Sequence, residues 1–206
     1  MSLPSGSVIE LAPGVHPGGL FIEADLEVRG VGGAVDSGAD AGSPSILDAI
    51  LDAGGRGAVV HIAEDGLQVL LAGLRLRGGN AQLGAGVFLE GASAVVLRDL
   101  VIEAGRAPGG GSAVSAIRGQ LTLERCRVEG EALFTGVARV TLRDTVVTED
   151  LLVREGAQVA LVGGSVEGML DIRGTTTRKP TVTVDGTLLR DVHNNPTLPG
   201  ELVGAR

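Results

Sequence analysis

Three arginines close short apolar segments of similar form: Arg118 in "SAIRG", Arg154 in "LLVRE" and Arg173 in "LDIRG". A guanidinium offers a rigid planar fork of donors that fits a carboxylate bidentately. Set at one place of a recurring unit, these side chains would grip the carboxylates of an acidic polysaccharide. Aligning the units gives two columns that share a face. One reads His61, Phe88, Ala116, Leu133, Leu152 and Asp171; the other reads Ala63, Glu90, Arg118, Thr135, Arg154 and Arg173. An apolar column beside a cationic one is the binding surface this pattern predicts. The plainer alternative puts Phe88, Leu133 and Leu152 under a loop or a partner chain, with the arginines lining the rim.

The columns need a scaffold that repeats, and the sequence supplies one. Val140, Leu142, Val147, Leu151 and Val153 return nineteen places later as Val159, Leu161, Val166, Leu170 and Ile172. The same template lies upstream at Leu121 and Leu123, at Val95 and Leu97, and at Val69 and Leu71, and downstream at Val182 and Val184. Extra residues fall between the apolar pieces and never inside them. "QVLLAGLRLRGG", "RVTLRDTVVTE" and "TVTVDGTLLRD" alternate apolar and polar residues, then skip one residue, then alternate again. Period two means strand, and the skipped residue is a corner that restores the inward phase. A helical reading fails because Thr, Val and Gly are poor helix formers and no i, i+3, i+4, i+7 stripe is present.

A single such turn cannot bury its own apolar face, whereas stacked turns can, at about 4.8 Å per step. The expected object is an all-β parallel solenoid of about seven turns with three short strands each. We read residues 1–58 as irregular first turns with a long polar loop from Gly30 to Ser45, 59–192 as regular turns, and 193–206 as a tail or cap. All form one domain. Within the first turn, Val8–Leu11, Leu20–Ile22 and Leu26–Val28 are the expected strands.

The order "SVIELAPGVHPGGLFIEADLEVRGVGG", then "SILDA", then "AVVHIAEDGLQVLLAGLRLRGGN", resembles the opening coils of right-handed parallel β-helix proteins of the pectate-lyase-like superfamily, with repeats of the carbohydrate-binding and sugar-hydrolase type. The likeness spans Val8 to Val192, and this chain has "HPGG" where the pattern usually carries Tyr and a polar pair. It implies the right hand of the coil, a polysaccharide partner, and membership of a larger exported bacterial protein; compartment is otherwise open. It does not fix activity, because the fold hosts lyases, hydrolases, epimerases and inert scaffolds.

Catalytic clusters of that superfamily are hard to match. Its lyases hold Ca²⁺ on several carboxylates, and Ca²⁺ takes six or more oxygens; the columns offer Glu90 and Asp171, several turns apart. Glycoside hydrolysis needs two carboxyls about 5–9.5 Å apart. Asp99 and Asp144 share a corner two turns apart, about 9.6 Å by stacking, but with Arg125 between them they read as a charge ladder. His61 could act as a base, yet no nucleophile with an orienting acid accompanies it. His16 and His193 fall in irregular segments without metal-ligand spacing. Cys126 aligns with the inward Leu100 and Thr145 and should be a core thiol. "GGSVEGM" and "GRAPGGGS" do not join a strand to a helix, so no phosphate cradle is expected.

Composition limits the rest. Hydrophobic residues make up 44% of the chain but aromatic ones only 1%, so Val, Leu, Ile and Ala must fill the interior. A formal charge of −8 disfavours nucleic acid and anionic membrane as partners. One cysteine makes no intrachain disulfide, and no run approaches the roughly 18 apolar residues of a membrane span. The inserts "GGNAQLGAG" and "AGRAPGGGS" follow the same strand on successive turns, so they should project side by side and wall a groove. A further outward ladder, Leu70, Val96, Thr122, Thr141, Ala160 and Thr183, suits packing against a second copy.

The expected function is a non-catalytic binding or scaffold module that recognises polysaccharide through Arg118, Arg154, Arg173, Glu90, Phe88, Leu133, Leu152, His61 and Asp171. No metal or cofactor is expected. The alternatives are a lyase or hydrolase acting on an acidic glycan, and a self-assembling structural protein.

Overall fold

At the end of most first-face strands a single residue bends this chain. Gly73, Asp99, Arg125, Asp144, Gly163, Gly186 and Gly204 each follow directly on a strand, and all hold φ between 48° and 87°. A single left-handed residue rotates the next strand so that its alternate side chains again point inward. It is the corner expected from the skipped residue in each repeat. Glycine takes this conformation freely, Asp tolerates it, and other residues lose roughly 1–2 kcal/mol.

The computed structural model describes residues 4–31, 49–197 and 199–204. Most of the expected polar loop from Gly30 to Ser45 lies outside the described residues. The described chain is all-β, a parallel solenoid with three faces. Its first face is a sheet of nine strands running from Ser7–Leu11 at one end to Glu201–Val203 at the other. The strands of the second and third faces join in one 14-stranded sheet, because Ser165–Arg173 runs unbroken across both. Nine first-face rungs make about eight turns rather than seven.

The difference comes from the ends. Gly14–Pro17, not expected as a strand, pairs with Ala49–Asp52. The segment read as a tail also pairs: His193 and Asn194 extend Leu188–Asn194 along Ser165–Arg173, and Glu201–Val203 adds a rung on Thr181–Asp185. His16 and His193 therefore lie in strands, not in irregular segments. Short strands interrupted by proline or long loops weaken the repeat at both ends without abolishing the pairing.

Inside, each aliphatic residue sits on its counterpart one rung away. Leu121, Val140, Val159 and Val182 form one inward column; Leu123, Leu142, Leu161 and Val184 form the next. All eight are buried, and burying each such side chain contributes about 1.5–3 kcal/mol. Phe134 is the largest buried side chain, and it sits between the smaller Ala116 and Val153 on adjoining rungs. Cys126 fills a core position as expected, its Sγ 3.3 Å from the Leu97 carbonyl. Burial pushes its thiol pKa up to about 12, which keeps it protonated and unreactive.

Two mutational outcomes follow. Leu161→Ala should lower unfolding free energy by about 2–5 kcal/mol in denaturant titration, because both axial neighbours lose contact at once. At the corner, Asp144→Gly should be neutral to stabilising by up to about 1 kcal/mol. Gly163→Ala, one rung on, should destabilise, since its Cβ would enter left-handed backbone and strike Asp144 Oδ1.

Candidate functional site

The third face carries the columns that motivated a binding site, and their register differs from expectation at one rung. Val114–Ala116 pairs so that Ser115, not Ala116, stands beside Phe88 and Leu133. Ala116 points inward between Leu89 and Phe134. The outward column therefore reads Phe21, His61, Phe88, Ser115, Leu133, Leu152, Asp171 and His193. Matching the glycine of "SAIRG" to that of "VFLEG" hid an extra residue in the corner, and a one-residue slip exchanges the two faces of a strand.

The same slip removes Arg118 from the cationic column. It lies in the corner beyond the strand, where its Nε donates to the Glu90 carbonyl at 2.9 Å and a terminal nitrogen lies 3.9 Å from Asp65. Arg154 and Arg173 do stand on adjoining rungs.

Both of those arginines turn onto Asp171. Arg154 donates to Oδ2 and to the Asp171 carbonyl, each at 2.7 Å, while Arg173 donates to Oδ1 at 3.1 Å and reaches Oδ2 at 2.8 Å. His193 Nδ1, from the last rung, lies 2.9 Å from Oδ1. With these neighbours over it the Asp171 side chain is only 2% exposed, although it occupies an outward position. Burial by itself raises its pKa. The hydrogen bonds from His193 and Arg173 and the charge of Arg154 outweigh that and hold the carboxyl below its usual range.

Toward the other end the face is aromatic. His61 stacks on Phe88 with centroids 4.9 Å apart and rings inclined by 16°, and it meets Phe21 edge-on, also at 4.9 Å. The Glu90 carboxylate lies 3.2 Å from His61 Nε2. The chain has three phenylalanines, and two of them flank this imidazole. Beside the ladder opens a cleft of about 630 Å³ walled by Pro17–Phe21, by the corner from Asp52 to Gly54 and by Arg56, with His61 at its edge.

Between these two regions the column is covered. The two inserts lie side by side as expected, with Ala81 N–H donating to the Arg106 carbonyl and Arg106 N–H to the Gly79 carbonyl, at 3.0 and 3.1 Å. They roof the column rather than wall it. Gly110 and Gly111 press on Leu133, so close that a Cβ on either would stand 3.0 or 3.2 Å from it. Ser115 Oγ is buried in the same stretch without a hydrogen-bond partner among the described residues. Leu152 remains partly exposed beyond the roof.

Asp99 and Arg125 form a bidentate pair at 2.8 and 2.9 Å along the corner ladder, and the hydrogen bonding that Arg125 donates to Asp99 raises the Arg125 pKa. No cluster of His, Cys, Asp and Glu suited to a metal occurs among the described residues. No described helix is long and apolar enough to cross a membrane.

Phe21 and His193 escaped sequence reasoning. "LFI" and "VHN" do echo "VHI" around His61, but a long interval at one end and a weakened repeat at the other obscured the match. Comparison with family models, with curated proteins and with solved structures yields no match.

Because the folded pKa of Asp171 is depressed, its ionised form stabilises the protein above the unfolded carboxylate value, about 3.9. That contribution is lost as pH falls through the lower folded value. Asp171→Asn should cost about 2 kcal/mol near neutrality. In denaturant titrations at successive pH values, its gap from wild type should close only below about pH 3.9.

Proposed function

We propose that the protein is a non-catalytic binding module that holds an extended polysaccharide against the aromatic part of its third face. The observation that carries this reading is the Phe21–His61–Phe88 ladder beside Glu90 and the open cleft. The stacked His61 and Phe88 offer ring edges, and the half-exposed Phe21 offers more of its ring, to the apolar faces of sugar rings. The nearby carboxylates and Arg56 offer hydrogen bonds to hydroxyls, the usual division between apolar walls and a few polar groups that fix orientation. Axial repetition sets these rings on successive rungs, along the direction in which a polymer extends. The superfamily resemblance points to the same ligand class.

The enzymatic alternative would place Arg154 or Arg173 on the substrate of a lyase. Both guanidiniums are committed to Asp171, which favours a structural task for them.

Affinity electrophoresis through gels containing neutral or acidic glycans tests the reading. At least one glycan should retard the protein, Phe88→Ala should weaken retardation by about tenfold or more, and the glycan should keep its chain length. Migration unaffected by every polymer would count against the module. Depolymerisation abolished by Arg154→Ala would establish the enzyme instead.

A further inference from the structure

Large apolar side chains left exposed among the described residues gather at the ends of the solenoid. Val8, Val15 and Phe21 lie on the first rung, and Leu188, Val192 and Val203 on the last; Val31 and Val137 fall outside these strands. Val15 is 59% exposed and Leu188 75%. The two sets occupy the same columns. Traced rung by rung on the first face, the column of Val8 ends at Val203. On the second, the column of Val15 ends at Leu188. On the third, Leu20 and Phe21 share columns with Val192 and His193.

We infer that molecules of this chain associate head to tail, the first rung of one lying on the last rung of the next. The sheets are parallel throughout, so both ends present strand edges running in one direction, with backbone groups open to another strand. In this docking the ladder continues on all three faces. Val8 covers Val203, Val15 covers Leu188, Leu20 covers Val192, and Phe21 meets His193 as it already meets His61. A second copy is the partner whose strands match these edges in position, direction and apolar column together. Head-to-head contact would set the strands antiparallel and break every one of those pairs. Charges are few on the first rung, where Ser7–Leu11, Gly14–Pro17 and Leu20–Ile22 carry Glu10 and one proline, Pro17; the last rung carries Arg190, Asp191 and Glu201. The contact is heterologous and does not close on itself, so it builds linear chains.

The inference shares Leu20 and Phe21 with the polysaccharide reading, and its test uses the second face. Val15→Asp and Leu188→Lys are conservative for folding because both sites are exposed, and circular dichroism checks each variant. In sedimentation velocity across a concentration series, the wild-type chain should form elongated oligomers. Each variant alone should associate at least tenfold more weakly. An equimolar mixture of the two should recover association. The introduced lysine on the last rung of one molecule then meets the introduced aspartate on the first rung of the next, while the reverse junction keeps its native pair. Leu70→Asp, on the outward ladder of the first face, should leave association unchanged. A wild-type chain that stays monomeric at every concentration overturns the inference. So does association that Leu70→Asp abolishes and Leu188→Lys spares, or folded variants whose mixture stays monomeric. Glycan retardation measured on the Val15 and Leu188 variants should be unaltered, which separates failure of one reading from failure of the other.

Discussion

Axial stacking in register is the constraint on which the molecule rests. A side chain inside a solenoid meets its own column above and below, so each position is selected against two neighbours of like placement. Strand spacing of about 4.8 Å leaves little room for bulk, which is why Val and Leu fill the columns and aromatic residues are so few. Where a large ring does enter, at Phe134, small Ala116 occupies the adjoining rung. The left-handed corner residue makes the columns possible by resetting phase once per turn. Corner and column depend on one another: a strand that entered half a period out would turn its whole apolar set to solvent.

That mutual dependence explains which features could be read from the chain. The ladder Leu70, Val96, Thr122, Thr141, Ala160 and Thr183 stands in register as its spacing implied, because five-residue strands alternate long enough to fix phase. Three-residue strands do not. On Val114–Ala116 all three residues are small or apolar, so alternation gave no preference between Ser115 and Ala116. The shape of the charged site was less legible still. Spacing can place Arg154 and Arg173 next to each other, but it does not say that both will turn onto one carboxylate. Nor does it say that a histidine from the final rung will complete the set.

Outward positions on the third face have separated into regions of different chemistry. Near Phe21 the face is aromatic and open; near Asp171 it is ionic and closed upon itself; stacked inserts roof the stretch between. Ion pairs on an exposed sheet contribute little individually, since solvent competes for each partner. The Asp171 cluster differs because its carboxylate is buried and an uncompensated charge there would be costly. It also ties three successive rungs together through Arg154, Arg173 and His193. The cations that suggested recognition from sequence bond to Asp171 or to the Glu90 carbonyl, and the few surface aromatics stand apart from them.

Cohesion of this kind is local, which makes the ends of the structure energetically distinct from its middle. In a quasi-one-dimensional stack, stability sums over rungs and over contacts between neighbours, and a terminal rung lacks one neighbour. A chain can compensate by changing the composition of its last rungs, with charges, proline or a covering segment. Here one outward residue of each terminal first-face strand, Val8 and Val203, is of the same kind as Val96 within the sheet, while Glu10 and Glu201 are the other outward residues. The strands Leu20–Ile22 and Val60–Ile62 differ in little but the exchange of an aromatic ring for an imidazole. At these positions the terminal rungs carry interior side-chain types, although Pro17, Arg190, Asp191 and Glu201 set other terminal positions apart. A terminus with interior character lowers its free energy most by acquiring the neighbour it lacks, and in register that neighbour is another rung of the same pattern. Axial growth would also lengthen the third face by whole units, so that the stacking which builds the core would set the reach of the surface it carries.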